Sequence, residues 1–254
     1  MQNSQLANLN NADKEFSKKS LALPRVSLVI PTLNEERNLP LLFPKLPYWL
    51  HEVILVDGCS CDNTVAVAQT LMPTIKVVME RRRGKGAALR AGFAAATGDI
   101  IVILDADGSM DPNEIIMLVG ALTCGADLVK GSRFMQGGGT DDMTMFRMLG
   151  NWGLTKIVRI LYGASFSDLC YGYLGFWSRH APALTPRTDG FEVEAFLNVQ
   201  ALNLGLKIFE IPSLESNRAF GESNLRAIPD GWKVLKTILR ERLVPKSQKS
   251  NQLA

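Results

Sequence analysis

The sequence is short of the residues that build disulfide frameworks and zinc centres. Its 254 residues include four cysteines, Cys59, Cys61, Cys124 and Cys170, and two histidines, with no CxxC pair. Scattered thiols without paired spacing exclude a cross-linked secreted scaffold and a structural zinc site. Cys59 and Cys61 read as reduced thiols in a turn, and the compartment as cytoplasm. Long apolar runs are also missing. Nowhere do roughly 18 apolar residues follow one another, so no helix is expected to span a bilayer. Residues 1–23 form a polar tail without the apolar centre of a signal peptide. Nor is there a strong charge of one sign. A net charge of +3 is too small to argue for a nucleic-acid partner. Basic residues gather only locally, at 81–85 and 233–242.

What is present is apolar residue in quantity, 46% of the chain, enough for a sizeable core. It falls into a repeating order. Short β-branched runs, "RVSLVIP" (25–31), "HEVILVDG" (51–58), "TIKVVM" (74–79) and "GDIIVILDAD" (98–107), alternate with helical stretches. Those stretches are 35–46, "NTVAVAQTL", the Ala-rich "GKGAALRAGFAAAT" and "PNEIIMLVGALT". Fully apolar strands alternating with helices predict an α/β fold with a mostly parallel sheet covered on both faces. Residues 24–243 read as one domain, 24–126 its regular half and 127–243 a less regular extension, followed by a solvated tail at 244–254. Such sheets bind ligands beyond the carboxyl ends of their strands. Those ends carry Asn34, Glu35, Asp57, Asp105 and Asp107.

Asp105 and Asp107 close an apolar strand and can both face one hard cation. Mg²⁺ or Mn²⁺ suits carboxylate oxygens and completes its shell with phosphate. Asp-Ala-Asp-Gly is equally good turn composition. The glycine motif "GKGAAL" (84–89) is neither a dinucleotide fingerprint nor a P-loop. It is a basic entrance to a helix, where Lys85 could meet a phosphate or simply be solvated.

Taken in order, "VSLVIPTLNEERNL", "EVILVDGCSCDNT", "GKGAALRAGF", "GDIIVILDAD", "GSRF" and "NRAFGESNL" resemble glycosyltransferase family 2, of GT-A fold. Within it the likeness is to the dolichol-phosphate mannose synthase group of polyprenyl-phosphate sugar transferases, over residues 25–243. The resemblance implies a Rossmann-like nucleotide-sugar half, 24–126, and an acceptor-binding half, 127–243. It implies a metal-dependent inverting hexosyltransferase acting from GDP-mannose or a UDP-sugar onto a polyprenyl or dolichyl phosphate. Pro31, Leu33 and Glu35 would line base and ribose, Asp57 would hydrogen-bond the base, and Lys85 and Gly86 would lie along the nucleotide's edge. Asp105, Ala106 and Asp107 match the metal triplet, with Mg²⁺ or Mn²⁺ held by Asp105 and Asp107. Arg133, Arg218 and Ser223 resemble groups that hold phosphates. Asp105, Asp107, Arg133 and Arg218 would act on the departing diphosphate, whose charge a cation and guanidinium forks neutralise. Two departures stand out. "DGCSCD" has one acid before its glycine where relatives often have two, and Gly108-Ser109 replaces a frequent Leu-Gln.

An ionised lipid phosphate can attack without a base. A soluble hydroxyl acceptor (a small metabolite, a glycan or a peptide) needs one, for which Asp168, Glu192 and Glu194 are the candidates. Glu192 and Glu194 also suit a helix N-terminal turn. On that soluble reading, aromatics of "SDLCYGYLGFW" would wall the acceptor. A non-enzymatic nucleotide-sugar sensor is the third reading, against which the full set of acids and arginines counts. Residues 145–162 and 230–243 interleave Trp152 and Trp232 with lysines and arginines, which suits helices lying in a lipid interface. Packing against the core and pairing in a homodimer are the alternatives.

Overall fold

A computed structural model describes residues 23–221 and 226–243. Nine strands are described: β1 (Val26–Thr32), β2 (Glu52–Asp57), β3 (Lys76–Met79), β4 (Ile100–Ile103), β5 (Leu128–Ser132), β6 (Gly139–Thr140), β7 (Leu174–Trp177), β8 (Ile208–Pro212) and β9 (Leu214–Glu215). The helices are α1 (Leu39–Leu42), α2 (Thr64–Leu71), α3 (Lys85–Ala95), α4 (Ile115–Thr123), α5 (Met145–Tyr162), α6 (Ala181–Leu184), α7 (Val193–Asn203) and α8 (Ala227–Leu243). Seven strands form one sheet in the order β3-β2-β1-β4-β7-β5-β8. All pair in parallel except β7, which runs against β4 and β5. The sheet therefore runs unbroken across the boundary expected near residue 126.

Alternate side chains of each strand feed two apolar layers, which is why the strands read as unbroken apolar runs. Leu28 and Ile30 pack with Leu39, Leu42, Ile115 and Leu118 on one face. Val29, Ile54 and Val56 pack with Leu89, Phe93 and Phe196 on the other. A third cluster, around Val158, Phe166, Val199, Val234 and Ile238, joins α5, α7 and α8.

The helix expected over 35–46 is mostly absent. Only Leu39–Leu42 is α-helical, followed by a 3₁₀ turn at Phe43–Lys45. Pro40 and Pro44 lack the N–H that a longer helix would use. The backbone N–H groups ahead of them bond elsewhere: Asn34 to Ser60 Oγ at 2.9 Å, Glu35 to Thr64 Oγ1 at 2.8 Å, and Glu36 to Asp62 at 3.2 Å. The loops after β1 and β2 are thus stitched into one platform. Tyr171 and Tyr173, expected to wall an acceptor, are instead core residues, both almost completely buried. Their hydroxyls bond Ser213 and the Asp111 carbonyl.

Candidate functional site

The carboxyl ends of β1, β2 and β4 form a rim. Thr32 and Asp57 are paired across β1 and β2, so the loops that follow begin side by side. Asp57 is buried, and its carboxylate accepts the Ser60 N–H at 2.9 Å and the Ser60 hydroxyl at 2.5 Å. That bond shapes the 58–61 turn. Leu33 is exposed and Pro31 half-buried on the same side.

Beyond β4 the chain turns at Gly108, whose φ of 78° suits glycine. Asp107 Oδ1 accepts the Ser109 N–H at 3.0 Å and closes the turn. Its Oδ2 lies 3.3 Å from Arg218 Nη2. Ala106 between the two acids is buried. Asp105 Oδ2 takes a different partner, Lys85 Nζ at 2.7 Å, and the same ammonium reaches Glu194 Oε1 at 2.8 Å. Burial opposes the charge on Lys85, but the two carboxylates outweigh it and hold Lys85 above the ordinary lysine range. A side chain at Gly172 would strike this ammonium and Glu194. Gly86 does not open onto the rim. It is buried against the Thr188–Asp189 backbone and donates its N–H to the Asp189 carbonyl at 2.8 Å.

Glu35 faces Asp107 and Asp105 from the end of β1. Burial lifts its carboxyl to about 7, with the charges of Asp107 and Asp105 adding to the rise and Asn38 and Arg218 opposing it. A folded-state value above the unfolded one means that ionisation opposes folding. The folded state therefore holds its full advantage below about pH 4.5 and loses it as pH climbs towards 7. In metal-free buffer, Glu35→Gln should match wild type at pH 4.5 and melt a few degrees higher at pH 7.5, about 2–4 °C for each kcal/mol in a chain this size. An offset that stays constant across that range would remove the buried-acid account.

Arg133 follows the carboxyl end of β5, but its side chain is turned in among acids. Its Nε and Nη2 donate to Asp168 at 2.8 and 3.0 Å, Nη2 also to the Cys170 carbonyl at 2.8 Å, and Nη1 to both oxygens of Glu215 at 3.1 Å. All five N–H donors of a guanidinium are accounted for, which leaves none for a phosphate. Asp168 is fully buried and also accepts from Asn151 at 3.0 Å. Burial would raise its carboxyl, but Arg133 and then Lys130 hold it below the ordinary range. It is therefore a poor proton acceptor. Glu192 and Glu194 flank the first turn of α7. Glu194 is taken by Lys85, and Glu192 bends back towards Gly190. Ser223 lies outside the described residues.

Sequence reasoning missed Glu194 as a partner of Lys85, and it missed Asp142 and Glu215 altogether. Each meets a residue far away in the chain, so no local spacing announces them.

The donor set at Asp105 and Asp107 fits a hard cation. Among the described residues no three His, Cys, Asp or Glu side chains gather to hold a metal alone. Two carboxylates at an open rim are instead the provision expected where phosphate oxygens complete the shell.

A parallel sheet with one reversed strand, and acids beyond its strand ends, defines the GT-A class of fold. The chain belongs to glycosyltransferase family 2: the family model described as "Glycosyl transferase family 2" matches residues 27–179. It is 30% identical over 211 residues to a dolichol-phosphate mannosyltransferase of Pyrococcus furiosus, covering 80% of this chain and 59% of that one. The chain thus spans less than two thirds of that relative. It is 31% identical to a polyprenol monophosphomannose synthase of Mycolicibacterium smegmatis, covering 79% and 81%. Among solved structures, glucosyl-3-phosphoglycerate synthase of Mycobacterium tuberculosis, in complex with Mn²⁺, UDP-glucose and phosphoglyceric acid, superposes with a TM-score of 0.70. That match is 27% identical and covers 87% of this chain and 81% of that one.

Proposed function

We propose that the protein transfers a hexose from a nucleotide-diphosphate sugar to a polyprenyl phosphate, inverting the anomeric centre, at a membrane surface. The observation that carries this reading is an apolar groove along the helix that follows the rim's ion-pair partner Asp142 in the chain. Arg218 links Asp107 to Asp142, and Asp142 stands just ahead of α5. Along α5 runs a groove of about 1050 Å³ lined by Phe134, Met148, Leu149, Trp152 and Ile160, with Lys156 and Arg159 among them. Names of the mannosyltransferase relatives agree with a lipid phosphate as acceptor.

In this reading Pro31, Leu33, Glu35 and Asp57 receive the nucleoside, and Lys85 keeps Asp105 in place. Asp107, with Asp105, would hold Mg²⁺ or Mn²⁺. Such a cation supplies neutralisation of charge on the departing diphosphate. Arg218 adds a guanidinium to the same oxygens. The acceptor phosphate is ionised at neutral pH, so no base is required. A soluble hydroxyl acceptor is the second reading, suggested by the phosphoglyceric acid bound to that structural neighbour. It fits less well, because two of its three candidate bases, Asp168 and Glu194, are engaged by cations.

Membrane contact belongs to the same proposal. The described residues include no helix long and apolar enough to cross a bilayer. Yet α5 exposes Leu149 (66%), Trp152 (57%) and Ile160 (74%), and α8 exposes Trp232 and Leu239. Lys156 lies 4.9 Å from the Trp152 ring centre and Lys236 5.6 Å from that of Trp232. Indole rings capped by ammonium groups suit the headgroup boundary.

The test supplies radiolabelled UDP- and GDP-sugars with Mg²⁺ or Mn²⁺ to anionic liposomes that contain polyprenyl phosphate. Label from one donor entering the solvent-extractable lipid, with protein pelleting on the vesicles, is the expected result. Label confined to the aqueous phase would move the acceptor to the soluble class. A protein that dimerises and ignores vesicles would assign the apolar face to self-association.

A further inference from the structure

Asp142 sits at the centre of an ion-pair chain that the transfer chemistry leaves unexplained. Arg218 Nη2 is 3.3 Å from Asp107 Oδ2 and 3.7 Å from Asp142 Oδ2, and the same Asp142 oxygen is 3.6 Å from Arg147 Nη1. One guanidinium thus divides itself between two carboxylates, and the second carboxylate is held by another guanidinium. With two acids and two arginines, the chain has no net charge.

The backbone around it is fastened. The Asp141 N–H donates to the Glu215 carbonyl at 2.8 Å, and the Ser216 N–H donates to the Ser109 carbonyl at 2.9 Å. Met110 and Glu215 form a β-bridge, and β6 pairs with β9. The loop that carries Asp107 and the turn that carries Asp142 are therefore tied to one short strand, β9. They cannot drift apart, whereas Arg218 reaches them on a flexible stem.

A divalent cation and a guanidinium compete for the same carboxylate oxygen. Once a cation occupies Asp107, Arg218 loses that partner and is repelled by the new charge. We propose that Asp142 is a positioning residue that receives Arg218 from Asp107 when Asp107 binds a divalent cation. Arg147 holds Asp142 from the other side, so the receiving carboxylate stays in place. Arg218 then remains beside the cation, where the surplus positive charge matches an incoming diphosphate. The inference rests on the cation reading of Asp107 given above, and its test can fail separately from that reading.

Mn²⁺ is titrated into nucleotide-free protein at about 0.15 M salt, where long-range fields are screened, and free Mn²⁺ is read by electron paramagnetic resonance. Arg218→Ala should bind Mn²⁺ more tightly, because the competitor is gone. Asp142→Asn should bind it roughly threefold more weakly, the size expected of a partly exposed ion pair, because Arg218 then loses the carboxylate that draws it off Asp107. Asp142→Glu should restore wild-type affinity. In the Arg218→Ala background the Asp142→Asn effect should largely vanish. An equal loss in both backgrounds would show that Asp142 acts through its own charge alone and would overturn the relay. Unchanged Mn²⁺ binding in Asp107→Ala would instead remove the cation site, and the relay with it.

Discussion

Asp107→Ala should lower sugar transfer by about a thousandfold while the protein stays folded. A cation on a departing diphosphate contributes several kcal/mol to the transition state, and each 1.36 kcal/mol is tenfold in rate. Asp107 is the carboxylate best placed for that cation, since Asp105 is already engaged by Lys85 at 2.7 Å. The structural cost of the substitution is small. Asp107 and Arg218 are partly exposed, with side chains 14% and 21% accessible, and such a pair contributes up to about 1 kcal/mol. Initial rates with Mn²⁺ beside a melting curve check both halves. Full Mn²⁺-dependent turnover in the variant would place the cation elsewhere; a collapsed melting curve would make Asp107 structural.

Arg133→Ala should have the opposite signature, a loss of fold before any loss of chemistry. The side chains of Arg133 and Asp168 are 2% and 0% accessible. Removing one partner of a buried pair leaves an unmatched charge and costs about 3–5 kcal/mol. For a chain of this size that lowers the melting temperature by on the order of 10 °C. Asp168→Ala should do the same, and the double variant should lose less than the sum of the two. If Arg133→Ala melts like wild type yet fails to bind phosphate ligands, Arg133 is a ligand group after all.

These two residues show where sequence reading reaches and where it stops. Asp105 and Asp107 stand out because charges end an apolar strand, and the α/β order places that strand end on a rim. Periodicity also located α5, expected and observed over Met145–Tyr162. It could not say which way the helix faces. In the structure Asn151 and Thr155 point inwards while Leu149, Trp152 and Ile160 point out. Arg133 reads like a phosphate clamp because an arginine after a strand looks the same whether it meets a ligand or a buried acid. Its partners, Asp168 and Glu215, lie 35 and 82 residues away. Lys85 and Glu194 are 109 residues apart. Only the sheet order brings such groups together, and that order is not periodic. The shortened first helix failed for a nearer cause, a competition for backbone donors won by Ser60, Asp62 and Thr64.

The place of β7 in the sheet bears on how the chain is made. β4, all of whose residues are buried, borders β1 on one side and β7 on the other. A ribosome delivers β1 to β4 well before β7, which follows about 70 residues later. At roughly 5–20 residues per second, the nascent chain presents the naked edge of Ile100–Ile103 for several seconds. An unpaired apolar edge is a template for aggregation. Soluble yield should therefore depend on translation speed between β4 and β7, and on chaperones that shield that edge during the interval.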